Sequence, residues 1–333
     1  MPIIKSFRIN KNIEKCTIIC HTILQLVITL FEEEVLIKMK KTPVFKGVAT
    51  ALITPFNDSG IDFNAFKRLV DWQIDEGVNA LVICGTTGEK STLGDAEHRH
   101  LLEYAVNYIN GRVPVIAGTG SNDIAYSVSM TRHACQVGAD AVLCVTPYYN
   151  KATQGGLIQS YYTVADAATK PVILYNVPSR TGVGIEPETY VKLGEHENIV
   201  AIKEANGNIS KIVETFAAAG DLLDIYSGND DQIVPILSMG GIGVISVLSN
   251  PMPAATAELC RRFFEGDVEG SAKMQKELLP LIKALFCEVN PIPVKAAMAA
   301  MGFCENRLRL PLVPMEPAHE AVLLAEMKKL NLI

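Results

Sequence analysis

Lys203 ends an apolar run, NIVAIKEANG (198–207), that otherwise reads as a buried strand. Period two sets bulky Val200 and Ile202 on one face and small Ala201 with Lys203 on the other. A strand-end lysine can snorkel to water. Alternatively, burial disfavours its charged form. A fall of a few units from about 10.4 then leaves a neutral amine able to attack a carbonyl, chemistry open to lysine and closed to arginine. Tyr175, in PVILYNVPSRTG, ends another such run. It reads either as a core aromatic with a satisfied hydroxyl or, beside Lys203, as a phenol that moves protons while a carbinolamine forms and dehydrates. The hydroxyls of Thr86 and Tyr149 extend that relay or serve as structural donors.

Carboxylate-holding groups stand nearby in the same pattern. GTTGE (85–89) is either a tight turn or a nest of backbone N–H groups at a helix entrance, sized for a carboxylate rather than a phosphate. Arg180 either faces solvent or offers its fork to a second carboxylate. Metal chemistry is not expected: His98 and His100 lie two apart on a helix, hence on different faces, with no third ligand close by. Two glycine-rich stretches are decoys. GTGSND supplies only the first two glycines of a dinucleotide fingerprint, and in GTTGEKS a glutamate separates glycine from lysine where a phosphate-binding loop would not allow it.

The elements that must position these residues alternate. From Val44 onward, short β-branched runs exchange with segments of helical period at intervals of roughly 25 to 30 residues, for eight rounds, the signature of βαβ units. Phe63, Phe66, Leu69, Val70 and Ile74, for example, recur on one helix face behind a cap at Asp62. The strand runs are apolar on both faces, as in a parallel sheet covered by helices. A doubly wound open sheet alternates similarly, but its fingerprint is missing, so the expected fold is an α/β (β/α)8 barrel. Beyond Gly266 the pattern is purely helical. The expected division is an N-terminal extension over 1–43, a catalytic barrel over 44–266 and a C-terminal helical region over 267–333. A barrel carries its reactive groups at the C-terminal strand ends, where Thr86, Thr87, Tyr149, Tyr175, Arg180, Lys203 and Gly228 all fall.

Composition excludes several functions. Thirty Lys and Arg against 36 Asp and Glu give a net charge of −6, with no basic patch in the sequence, so neither nucleic acid nor an anionic membrane is an expected partner. Eight cysteines form no CxxC pair and several sit in apolar runs, which points to a reduced, cytoplasmic protein. The apolar stretch over 16–31 is short for a membrane span, is interrupted by His21 and Gln25, and lacks a small-x-small cleavage site after it. It reads as a nonessential extension, with Met39 as the expected start.

GTTGE, PYYN, YNVPSRTG, IKEANG, GVISV and NPIPVKAAM, in that order and spacing, closely resemble the dihydrodipicolinate synthase family, over about Phe45 to the C-terminus. The wider group of pyruvate-dependent class I aldolases, including N-acetylneuraminate lyase, shares the lysine and the tyrosine. Arg180 and Thr87 lean toward the synthase. The resemblance implies that Lys203 attacks pyruvate, giving a Schiff base whose enamine adds to L-aspartate 4-semialdehyde in lysine and diaminopimelate formation, with no separate cofactor. It implies a proton relay of Tyr175, Thr86 and Tyr149, the last supplied by a neighbouring subunit of a homotetramer. It further implies pyruvate contacts at Thr87 and Ile245, a substrate-binding position at Gly228, and Arg180 on the semialdehyde carboxylate. Two alternatives use the same residues: a sister lyase cleaving a sugar acid, and a catalytically silent barrel that binds pyruvate-like acids. One departure from the family pattern stands out. Lys90 and Tyr126 occupy positions where lysine-inhibited members hold small or polar residues and a glutamate, so weak lysine inhibition is expected.

Overall fold

Asp62 caps the first helix as its sequence predicts, its carboxylate accepting the N–H groups of Asn64 and Ala65 at 3.0 and 2.9 Å. The computed structural model describes residues 41–333. The stretch over 16–31 and the start at Met39 lie outside the described residues. In chain order the strands are β1 (Gly47–Ala51), β2 (Phe56–Asn57), β3 (Gly60–Ile61), β4 (Ala80–Ile83), β5 (Val115–Gly118), β6 (Ala141–Val145), β7 (Val172–Asn176), β8 (Ile199–Glu204), β9 (Asp224–Ser227) and β10 (Gly243–Ser246). The helices are α1 (Phe63–Asp75), α2 (Asp95–Ile109), α3 (Ile124–Val137), α4 (Gln154–Asp166), α5 (Pro178–Thr181), α6 (Pro187–Gly194), α7 (Ile209–Ala219), α8 (Ile233–Ser238), α9 (Pro253–Phe264), α10 (Val268–Leu285), α11 (Ile292–Ala300) and α12 (Pro317–Lys329). Among them no helix is long and apolar enough to cross a membrane.

Eight of the strands pair in parallel and close in the order β1-β10-β9-β8-β7-β6-β5-β4, the expected (β/α)8 barrel. The β2–β3 hairpin is an insertion between the first barrel strand and its helix. Closure at β1 is held by side chains as well as by the ladder. Asn250, after β10, donates to Ala51 O at 2.9 Å and accepts from Ile53 N at 3.1 Å. Gln73 on α1 reaches the carbonyls of Ser249 and Asn250 at 2.9 and 3.0 Å.

Alternation along each strand divides the core in two. Small and branched residues such as Ala49, Ala80, Ile116, Ala141 and Ile245 fill the barrel interior. The intervening residues, such as Val48, Leu81, Leu174 and Ile202, pack beneath the helices. Phe45 stacks on Tyr226 at 4.2 Å between centroids, and the Tyr226 hydroxyl donates to Phe45 O at 2.7 Å. Val200 departs from its expected outward face and joins the interior with Ala201. The register explains this: Val172 pairs with Ile199 but Ile173 with Ala201, so β8 carries one extra residue here, and strict alternation fails at that residue.

The C-terminal helices belong to the same compact unit as the barrel. Lys295 on α11 is fully buried and forms an ion pair with the fully buried Glu89 of the GTTGE turn. Its Nζ also donates to Thr54 O at 2.7 Å and lies 4.3 Å from the Phe56 ring centre. Glu89, in a left-handed conformation at φ 54°, accepts in addition from Arg309 N at 3.1 Å. Removing one partner strands a charge where water cannot reach it. Lys295→Met should therefore lower unfolding free energy by about 3–5 kcal/mol in urea titrations, while the double variant Glu89→Gln/Lys295→Met recovers most of the loss. An equal loss in the double variant would show that packing, not the stranded carboxylate, dominates.

Candidate active site

Adjacent strands bring the two principal residues together. In the β7–β8 register Tyr175 pairs with Lys203, and the following rung pairs Asn176 with Glu204. Lys203 Nζ lies 4.4 Å from the centre of the Tyr175 ring, and both side chains are buried, Lys203 to 6 % exposure. Among the described residues no carboxylate reaches ion-pair distance of it. Burial pushes the Lys203 amine down to about 8; the Asp230 charge opposes this and the Arg180 charge adds to it. Asp230 acts from a distance because its carboxylate is already engaged by Ser246 Oγ at 2.6 Å and by the N–H groups of Val247 and Leu248 at 3.0 and 2.9 Å. Tyr175 is raised by burial, against the lowering effects of Arg180 and of a hydrogen bond with the Thr86 side chain. Its phenol is thus a neutral donor at ordinary pH.

The neighbouring rung holds this pair in register. The Glu204 carboxylate accepts from Asn176 Nδ2 at 3.0 and 3.1 Å, from the Tyr190 hydroxyl at 3.0 Å and from Asn206 N at 2.8 Å. The sequence analysis assigned no role to Asn176 or Glu204. Their signal was available in the YN and KE dipeptides, in which each site residue precedes a residue on the opposite face. Gly228 is fixed by close approach: its N–H donates to Glu204 O at 2.7 Å, and a Cβ there would come within 2.6 Å of Ala205 Cβ.

A cavity of about 220 Å³ opens beside this pair, lined by Thr86, Lys90, Tyr148, Tyr175, Arg180 and Thr181 among others. Tyr175 is common to the cavity and to the Lys203 contact, whereas Lys203 itself is not in the wall. Among the described residues, the wall contains two cationic residues and no carboxylate. Arg180, on the single turn α5, donates from Nη2 to Asn290 O at 3.0 Å. Thr87 is buried and accepts from Asn290 Nδ2 at 3.0 Å. Ile245 lies in the barrel interior opposite Ala49. Tyr149 is not brought to the cavity within this chain: it is 90 % exposed, at φ 70°. Its neighbour Tyr148 lines the cavity instead.

The GTTGE turn corrects one expectation. It leads into a single 3-10 turn, Lys90–Thr92, and α2 begins only at Asp95, so GTTGE does not open a full helix. Its own hydrogen bonds run from Glu89 N to Thr86 O and from Lys90 N to Gly85 O. Lys90 turns its amine inward to Gly120 O, and burial pushes that amine down to about 8. His98 is buried between Tyr126 and Gly118. Its Nε2 bonds Gly118 O at 3.0 Å and its Nδ1 meets the Tyr126 hydroxyl at 3.1 Å, so the imidazole donates from Nε2 and accepts at Nδ1. His100 instead meets Phe63 edge-on, on another face of α2. Among the described residues no three His, Cys, Asp or Glu side chains gather at metal-binding spacing.

Fold and site together define a (β/α)8-barrel enzyme with its polar groups gathered at the C-terminal strand ends. The chain belongs to the dihydrodipicolinate synthetase family, whose model matches residues 44–330. It is 50% identical over 290 residues to the 4-hydroxy-tetrahydrodipicolinate synthase of Alkaliphilus oremlandii, covering 87% of this chain and 100% of that one. With the protein of the same name from Acetivibrio thermocellus the identity is again 50%, over 293 residues, 88% of this chain and 100% of the relative. The crystal structure of dihydrodipicolinate synthase from Aquifex aeolicus superposes with a TM-score of 0.85 at 45% identity, covering 86% of this chain and 99% of that chain.

The lowered amine has a direct consequence for pH dependence. With a value of about 8 in place of 10.5, roughly one Lys203 in ten is neutral at pH 7 rather than one in a few thousand. The protonated form predominates below the inflection, so the rate of reaction with a ketone should rise about tenfold per pH unit up to about pH 8 and then level off. An inflection remaining above 10 in rapid-mixing measurements would remove burial as its cause.

Proposed function

We propose that this chain is a 4-hydroxy-tetrahydrodipicolinate synthase, condensing pyruvate with L-aspartate 4-semialdehyde in lysine and diaminopimelate formation. The observation that carries the chemistry is the Lys203 amine, buried without a carboxylate partner and packed on the Tyr175 ring. The neutral amine adds to the keto carbon of pyruvate, and the resulting carbinolamine loses water to give an iminium ion. Loss of a proton from the methyl carbon gives the enamine, whose terminal carbon bonds to the aldehyde carbon of the semialdehyde, the new alkoxide taking up a proton. The substrate's own amine then attacks the imine carbon, expels Lys203 as a free amine and closes the ring. The iminium supplies the electron sink, so the cycle needs no other cofactor.

Every step moves a proton on or off oxygen or nitrogen. Tyr175 and Thr86 serve as the relay, and their shared place in the cavity wall supports that role. Tyr149 completes it from a second copy of the chain: its exposure in the single chain and its position beside the cavity-lining Tyr148 support an exchange across a homotetramer. Thr87, Ile245 and Gly228 hold pyruvate, and the free part of the Arg180 fork holds the semialdehyde carboxylate. The barrel, 44–266, thus carries the reacting groups, with the helical region, 267–333, packed against it. The enzyme acts in the cytoplasm, with its free thiols reduced. Cys84, Cys144 and Cys260 are buried small hydrophobes whose thiols burial pushes up.

Pyruvate with borohydride should label the wild-type protein on the peptide containing Lys203 and leave Lys203→Arg unlabelled. Folded wild-type protein that takes no label would favour a silent barrel. Preferential turnover of a sialic or 2-keto-3-deoxy acid over the semialdehyde would favour a sister lyase.

Lysine itself should be a poor inhibitor. Lys90 lines the cavity, and the Tyr126 hydroxyl is committed to His98, so a lysine ammonium at these positions meets a like charge and a phenol in place of a glutamate. Steady-state rates at low millimolar lysine should match those without it, and restoration of strong inhibition by Lys90→Ser would identify the cation as the cause. Half-inhibition of the unaltered protein in that range would overturn the assignment.

A further inference from the structure

Asn290 lies outside the barrel, in the segment between α10 and α11, yet it touches two groups from two different barrel loops. Its carboxamide Nδ2 donates to Thr87 Oγ1 at 3.0 Å, and its backbone carbonyl accepts from Arg180 Nη2 at 3.0 Å. Asn290 and Thr87 are both buried, at 6% and 2% exposure. Water therefore cannot substitute for the bond between them. A hydroxyl that already accepts an N–H on its lone pair keeps its own proton for another acceptor. The same residue limits Arg180, engaging Nη2 and leaving the remaining N–H groups of the guanidinium for a ligand. Thr87 lies after β4 and Arg180 after β7, and no ladder hydrogen bond joins those strands, which are separated by β5 and β6.

We propose that Asn290 is a positioning residue of the active site. Through its side chain it turns the Thr87 hydroxyl proton toward the carboxylate of pyruvate, and through its carbonyl it holds Arg180 at a set offset for the carboxylate of the second substrate. The helical region thereby becomes part of the site without touching either substrate. This inference rests on the synthase reading, and in particular on pyruvate lying against Thr87. The Oδ1 atom of Asn290 is buried and accepts no hydrogen bond among the described residues. The carboxamide thus acts through the bond it donates, and the two partners of Asn290 are separable: substitution removes the side-chain bond and leaves the backbone carbonyl to Arg180.

Asn290→Ala should raise the KM for pyruvate about three- to tenfold, the range expected for one buried hydrogen bond, with kcat and the KM for L-aspartate 4-semialdehyde each changed by less than about twofold. Thr87→Val should raise the pyruvate KM similarly, and combining the two should add nothing further, because both remove the same oriented hydroxyl. If Asn290→Ala does not fold, the equal-sized Asn290→Asp serves, since it cannot donate and instead draws the Thr87 proton toward itself; it should weaken pyruvate at least as much. The concentration of pyruvate needed for half-maximal borohydride trapping at Lys203 gives an independent readout. Trapping that is intact in the wild type but equally sensitive to pyruvate in the Asn290 variants would overturn this inference while leaving the synthase reading standing. Parallel changes in both KM values and kcat, tracking a loss of thermal stability, would reduce Asn290 to a structural residue. Absence of trapping in the wild type would remove the synthase reading first.

Discussion

A primary amine kept in a low-dielectric interior without a carboxylate beside it is the constraint on which the rest of this structure depends. The barrel makes that environment: alternate residues of eight strands, Ala49, Ala80, Ala141 and Ala201 among them, fill its axis. Lys203 then sits on the Tyr175 ring, where burial favours the neutral form and the ring face still tolerates the charged one. The carboxylate with the largest influence, that of Asp230, is withheld by two backbone amides and a serine hydroxyl, so its field reaches the amine but its oxygens do not. An ion pair at that position would hold the lysine protonated.

Lys295 illustrates the opposite solution in the same chain. It is at least as buried as Lys203, yet it has the Glu89 carboxylate, a carbonyl and an aromatic face around it. Burial lowers its pKa on balance, as it does for Lys203, and the Glu89 charge and hydrogen bond oppose this only in part. The result is a structural tie: α11, the Arg309 amide and the turn that carries Thr86 and Thr87 meet at a single carboxylate. Lys295 is tied to a carboxylate and a carbonyl, whereas Lys203 has no carboxylate at ion-pair distance among the described residues. Both depend on the same chemistry of desolvated ammonium groups.

The cavity extends this electrostatic pattern outward. Lys90 and Arg180 stand in a wall that contains no carboxylate among the described residues, which favours anions over amino-acid cations. Both substrates of the proposed reaction carry carboxylates, and both polar arms of Asn290 reach residues assigned to those groups. In the proposed reaction, recognition would thus draw on three separate parts of the chain, the loops after β4 and β7 and the segment before α11.

Much of this architecture was determined by local sequence. A charge at the end of an apolar run marked Lys203, alternation marked eight strands and their helices, and the absence of nucleotide fingerprints separated a barrel from an open sheet. Periodicity is a property of neighbouring residues, so it survives without knowledge of the partner strand. It failed where the partner mattered. Val200 turned inward because β8 gains a residue against β7, and the GTTGE turn led to a 3-10 turn because Glu89 is drawn to Lys295, 206 residues away. Asn290 gave no signal of its own, since its meaning lies in Thr87, 203 residues distant, and Arg180, 110 residues distant. Residue type and spacing determined which groups could react; only closure of the barrel and docking of the last helices decided which of them are desolvated, paired or aimed, because those properties belong to contacts between segments that are far apart along the chain.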